Sequence, residues 1–219
     1  MLINLSNKRY WLNWMAACAA GEFFGIGVAA GIGFLYFKVF GEPQNIGQKF
    51  LIILVAILAG IIEGTVTGSF QWSVLKKRFP GMTVRNWVGL TALGAAIAWI
   101  LGMIPSTFFM PQSASSANIE PPLVLIILLA AILGLVLGAL FGVFQWFELK
   151  KHTTNANRWI WANTFGWAVG MVIIFLGTSI ISVDSKLGLV ILIGTVSGLL
   201  AGLSVGAITG LFLVRFKYS

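Results

Sequence analysis

Residues 60–77 read GIIEGTVTGSFQWSVLKK, and residues 134–151 read GLVLGALFGVFQWFELKK. Aligned, Gly60, Gly64 and Gly68 fall on Gly134, Gly138 and Gly142, the pair Gln71-Trp72 on Gln145-Trp146, and Lys76-Lys77 on Lys150-Lys151. A third copy keeps Gly198, Gly202 and Gly206 and sets Arg215 where Lys77 and Lys151 stand, but carries Thr209-Gly210 in place of Gln-Trp. A second series interleaves with the first: Asn13-Trp14, Asn86-Trp87 and Arg158-Trp159 are each followed, seven residues beyond the tryptophan, by Gly21, Gly94 and Gly166, and then by Gly25, Ala98 and Gly170. Two interleaved series that recur together predict one helical hairpin used three times, over 8–78, 85–151 and 158–217.

The apolar runs around these motifs decide the solvent. A composition of 58% hydrophobic and 9% charged residues, with a mean hydropathy of +0.96, cannot coat a water-soluble globule. Crossing roughly 30 Å of hydrocarbon at about 1.5 Å per residue takes about 20 apolar residues. Six stretches qualify: 11–37, 50–75, 87–109, 123–149, 159–183 and 187–214. The expected fold is an all-α membrane protein of six transmembrane helices forming a single domain, 1–219. The first stretch follows Lys8 and Arg9 as a signal peptide would. It outruns a signal core of about 7–15 residues and shares the repeat, so it reads as a retained helix.

Charge sets the orientation. Eleven of the fourteen basic residues fall at the N-terminus, the C-terminus and the two connections on their side, among them Lys76, Lys77, Arg78, Arg85, Lys150, Lys151 and Arg158. Lys38, Lys49 and Lys186 are left for the other side. The positive-inside rule then places both termini in the cytoplasm, and a bacterial inner membrane is the expected location. The net charge of +8 is thereby explained without nucleic acid. Connections are short, with 113–118 a polar loop tip and Pro105 a break near the end of the third helix. Any chemistry belongs to the membrane segments or to a partner.

Residues four apart share a helix face, so the glycine stripes predict close backbone contact of the glycine-zipper kind. Two arrangements satisfy them: the three even helices packed together at the centre, or each even helix stacked on its own odd neighbour. Trp14, Trp72, Trp87, Trp146 and Trp159, with Gln71 and Gln145, read as anchors in the cytoplasmic headgroup zone. Anionic lipid or a docking partner would be the functional version of that edge.

Two carboxylates lie inside the spans. Glu22 is eight residues past Trp14 and Glu63 nine before Trp72, depths of about 12 and 13 Å by helical rise. Each sits beside its small-residue stripe, and the two belong to one hairpin. Buried acids cost several kcal/mol unless neutralised, paired or hydrated, so they mark proton or ion routes by default. Thr65 and Thr67 are the nearby hydroxyls, and the bland alternative is a neutral carboxyl acting as interhelical glue. Their counterparts in the other repeats are Ala95, Leu137, Trp167 and Ala201.

Cys18 is the lone cysteine and His152 the lone histidine, so no metal cluster is expected, and His152 reads as a solvated loop residue. No HExxH, nucleophile elbow or phosphate loop is present, and enzyme activity is not expected. The Gly-x-x-Gln-Trp segments, alternating with Asn/Arg-Trp…Gly, resemble a group of uncharacterised bacterial membrane proteins of cyanobacterial type. That resemblance carries no activity or cofactor across, but it admits a thylakoid location. Two functions remain open: a small proton- or cation-coupled transporter or channel-like protein built on Glu22 and Glu63, or a non-catalytic structural, assembly or accessory subunit of a larger, even photosynthetic, membrane complex. Partners would be lipids, another membrane protein or further copies of the chain.

Overall fold

A computed structural model describes residues 5–104, 107–108, 122–181 and 185–216. The readings at Pro105 and 113–118 lie outside them. Six helices follow in order: α1 Leu5–Phe40, α2 Ile46–Leu75, α3 Val84–Ile104, α4 Leu123–Leu149, α5 Arg158–Thr178 and α6 Leu187–Leu213. All six are long and apolar enough to cross a membrane, and no strand occurs among the described residues. α2 begins four residues before the predicted span, because Asn45 caps it by accepting from the Gln48 N–H at 3.0 Å.

In α3 beyond Thr91 and in the first half of α4, size is sorted opposite to what a water-soluble core would require. The buried residues of α3 are mainly alanines, Ala92, Ala95, Ala96 and Ala98, while Leu128, Leu129 and Ile132 of α4 point outward. In lipid, large apolar side chains gain nothing by turning inward. Helices associate where small residues let backbones meet.

The helices form a closed ring in chain order, with α6 packed against α1. The glycine stripes decide the joints, and they match neither expected arrangement. A Cβ on Gly64 of α2 would lie 2.6 Å from Ala92 Cα of α3. One on Gly138 of α4 would strike the Asn163 carbonyl of α5, and one on Gly206 of α6 would lie 2.8 Å from Met15 Cα of α1. Each even helix therefore seats its glycines on the odd helix of the next hairpin, and the third hairpin closes onto the first. The odd helices supply the reason: Ala92 and Ala96, Thr164 and Ala168, and Met15 and Ala19 give each glycine face a thin partner in matching register. Three glycine faces turned to one axis would have left a void there.

One end of the ring is capped. Trp14, Trp87 and Trp159 are fully buried, with Phe79, Met82, Ala156 and Phe216 from the connecting segments folded over them. These three tryptophans are thus interior residues and not headgroup anchors. The shielding comes from loop and chain-end residues that no helical period reveals.

Candidate functional site

The centre of the ring is polar in two layers. In the first, the indole of Trp159 packs edge-on to Trp14 at 5.7 Å and to Trp87 at 6.1 Å between ring centroids. Every indole N–H has a partner on the preceding even helix: Trp159 donates to Gln145 Oε1 at 2.9 Å, Trp87 to Gln71 Oε1 at 3.3 Å, and Trp14 to Thr209 Oγ1 at 2.8 Å. The Gln145 amide donates to Gln71 Oε1 and Thr91 Oγ1, both at 3.1 Å, which links two joints of the ring. Gln71 and Gln145 are therefore buried network members and not interface anchors. Trp72 and Trp146 do stay at the periphery, where the ammonium groups of Lys76 and Lys150 stand 4.4 and 4.2 Å from their ring centroids.

The second layer holds the carboxylates. Glu22 is 4% exposed, and its Oε2 has no hydrogen-bond partner among the described residues. Glu63 accepts from the Trp99 indole N–H at 2.5 Å. Both line one central cavity with Thr67, Gln71, Gln145 and Asn163. The cavity measures about 10 Å³, room for about one water molecule. Thr67 is buried with its hydroxyl unpartnered among the described residues, whereas Thr65 is exposed and donates to the Ile61 carbonyl at 2.6 Å. Thr65 therefore does not belong to the site. A helix advances 100° per residue, so neighbours two apart cannot both face inward.

Small residues make room for these groups. A Cβ on Gly25 would sit 2.9 Å from Glu63 Cγ, and one on Gly202 would sit 3.0 Å from Glu22 Cγ. Glu22 is thus held between α1 and α6, and Glu63 at the joint of α1, α2 and α3. Among the described residues no three His, Cys, Asp or Glu side chains converge. What the cluster offers chemically is two carboxyl groups, neutral amides and hydroxyls, a set suited to holding a proton, a water or one small cation.

A second polar cluster was missed in the sequence. Glu148 is 1% exposed and accepts from Lys151 Nζ at 2.7 Å and Asn86 Nδ2 at 3.1 Å, with His152 Nε2 at 3.2 Å from its other oxygen. His152, expected in solvent, is packed by this contact and by Phe79, whose ring centroid is 6.1 Å away. The spacing of Glu148 to Lys151 and His152, three and four residues on, was the available signal, and the turn after α4 brings them together. Nearby, Arg78 donates to the carbonyls of Val214 and Phe216 at 3.0 and 2.8 Å, tying the end of α2 to the end of α6.

No protein-family model, curated protein or solved structure matches the chain. The fold itself, six helices each able to span a bilayer, is compatible with a multi-pass integral membrane protein.

Proposed function

We propose that this chain is a small proton- or cation-coupled integral membrane protein, of transporter or channel-like type, whose central carboxyl groups bind and release the coupled ion. The observation that carries the reading is Glu22 Oε2, buried without a partner in the wall of a cavity that Glu63 shares. A buried acid left unsatisfied at mid-membrane is costly, and such groups persist where protons or ions pass. The cavity's size favours a proton or a bare small ion over a hydrated solute. In vesicles enclosing a pH-sensitive dye, the wild-type chain should speed proton entry after a pH step. Glu22→Gln combined with Glu63→Gln should return the rate to that of empty vesicles; an unchanged flux in the double variant would sink the reading.

A second reading, a non-catalytic structural, assembly or accessory subunit, is favoured by the small size of the central cavity, about 10 Å³. It predicts stable co-purification of another membrane protein after gentle extraction. Its membership of a photosynthetic complex would rest on the cyanobacterial resemblance.

We also infer that the ring is a threefold repeat of one hairpin with both termini cytoplasmic, in a bacterial inner membrane or a thylakoid. Support for the repeat comes from the three like joints, each a glycine stripe on the next hairpin's odd helix and each with an indole bonded across it. Support for the orientation is the gathering of ten basic residues, among those described, at the capped end.

A further inference from the structure

The three glycine joints are not equally closed. On α6, Gly202 and Gly206 press against α1, where added Cβ atoms would lie 2.8 Å from the α-carbons of Ala19 and Met15. At Gly198 the contact thins to the tip of Ile26 at 3.3 Å, and beyond it Gly194 of α6 and Gly27 and Gly31 of α1 have nothing within 4 Å among the described residues. The corresponding positions in the other stripes, four residues before Gly60 and Gly134, are Ala56 and Ala130, which are 4% and 1% exposed. α1 and α6 thus part where the other two joints stay shut.

The parting leaves a groove of about 560 Å³, within the size range of small-molecule sites. It runs from Glu22 to Phe34 along α1, twelve residues or about 18 Å by helical rise. Its walls are apolar side chains such as Phe23, Ile26, Val190 and Ile191. Among the polar side chains in those walls, the Thr178 hydroxyl already donates to the Phe175 carbonyl, and Thr195 stands midway along. Glu22 closes the inner end, and its carboxyl, which also lines the central cavity, has one oxygen buried without a partner among the described residues.

A phospholipid tail filling this groove would bring methyl groups to Glu22 and leave that oxygen unsatisfied. A buried polar atom in apolar surroundings is costly without a partner. A hydroxyl meets the need in either protonation state, because it donates to a carboxylate and both donates to and accepts from a neutral carboxyl. We propose that the groove between α1 and α6 binds a long apolar molecule ending in a single hydroxyl group, which docks on Glu22 while its chain runs toward Phe34. This site goes beyond proton handling: it uses the hydrogen bonding of Glu22, whereas ion coupling uses its ionisation.

The test is photolabelling of the full chain in lipid nanodiscs. The probe is a long-chain primary alcohol with a mid-chain diazirine, compared with the alkane of equal length and the same diazirine. The alcohol should label residues 27–34 and 190–198 about 3- to 10-fold more than the alkane, the ratio one hydrogen bond provides. Glu22→Leu should erase that preference. Glu22→Gln should keep it, because an amide still pairs with a hydroxyl, even though the same substitution belongs to the pair expected to stop proton entry. Gly194→Leu, which has open space around it, should reduce labelling by both probes without lowering the melting temperature. Equal labelling by alcohol and alkane would mean ordinary lipid chains fill the groove and would overturn the proposal, as would labelling that Gly194→Leu leaves intact.

Discussion

The indole of Trp14 donates to the hydroxyl of Thr209 over 2.8 Å, joining the first helix to the last. Thr209 stands three residues past Gly206, as Gln71 stands past Gly68 and Gln145 past Gly142. The third hairpin has threonine and not glutamine at that place, yet it too offers an acceptor, so an indole bond is found at all three joints.

Thr209→Val should therefore lower stability in detergent by about 1–3 kcal/mol, because it leaves a buried indole N–H without a partner. Thr209→Ser should stay close to wild type. Gln145→Leu should cost more than Thr209→Val, since Gln145 serves Trp159, Gln71 and Thr91 at once. Thermal unfolding followed by tryptophan fluorescence reads all three.

Glycines should divide by what faces them. Gly138→Ala drives a methyl into the Asn163 carbonyl and should cost about 1–3 kcal/mol through forced separation of α4 and α5. Gly89→Ala meets nothing within 4 Å and should be neutral or stabilising by up to about 1 kcal/mol. If the two variants melt alike, the joints are not held by close backbone approach.

Glu148→Ala should destabilise by about 1–3 kcal/mol, and Lys151→Ala by less, because the lysine is half exposed while Glu148 anchors three partners. His152→Ala should fall between them, since it loses both the carboxylate and the packing on Phe79. The ranking by melting temperature is the check.

Cys18 is 1% exposed and can be replaced by serine to give a cysteine-free background. On intact cells a membrane-impermeant maleimide should then label Gln44→Cys at once and Lys77→Cys only after lysis. The reverse pattern would put the basic loops outside.

The helices themselves were legible because hydropathy is a local property: the predicted span 123–149 coincides with α4, and α1 and α2 end within a few residues of their spans. Which helix meets which was not, because a glycine stripe marks a flat face without naming its partner. Depth and stripe position single out Glu22 and Glu63, with Thr65 and Thr67 only as nearby hydroxyls, and of these four Glu22, Glu63 and Thr67 line one cavity. Trp14, Trp87 and Trp159 were misplaced because a tryptophan beside basic residues looks the same in sequence whether lipid or Phe79 and Met82 covers it. Glu148 is not legible because an acid at a helix end, beside lysines, has the same sequence pattern whether solvent or Asn86 and His152 surround it.

Closure of α6 onto α1 has a consequence for biogenesis. Because α1 is synthesised before its glycine-faced partner α6, Met15 and Ala19 stay uncovered until α6 has followed the four helices between them. A chain stopped before α6 would keep that seam open on α1 and the neighbouring one on α5. Ring closure is in that sense a step that no subset of the six helices can complete.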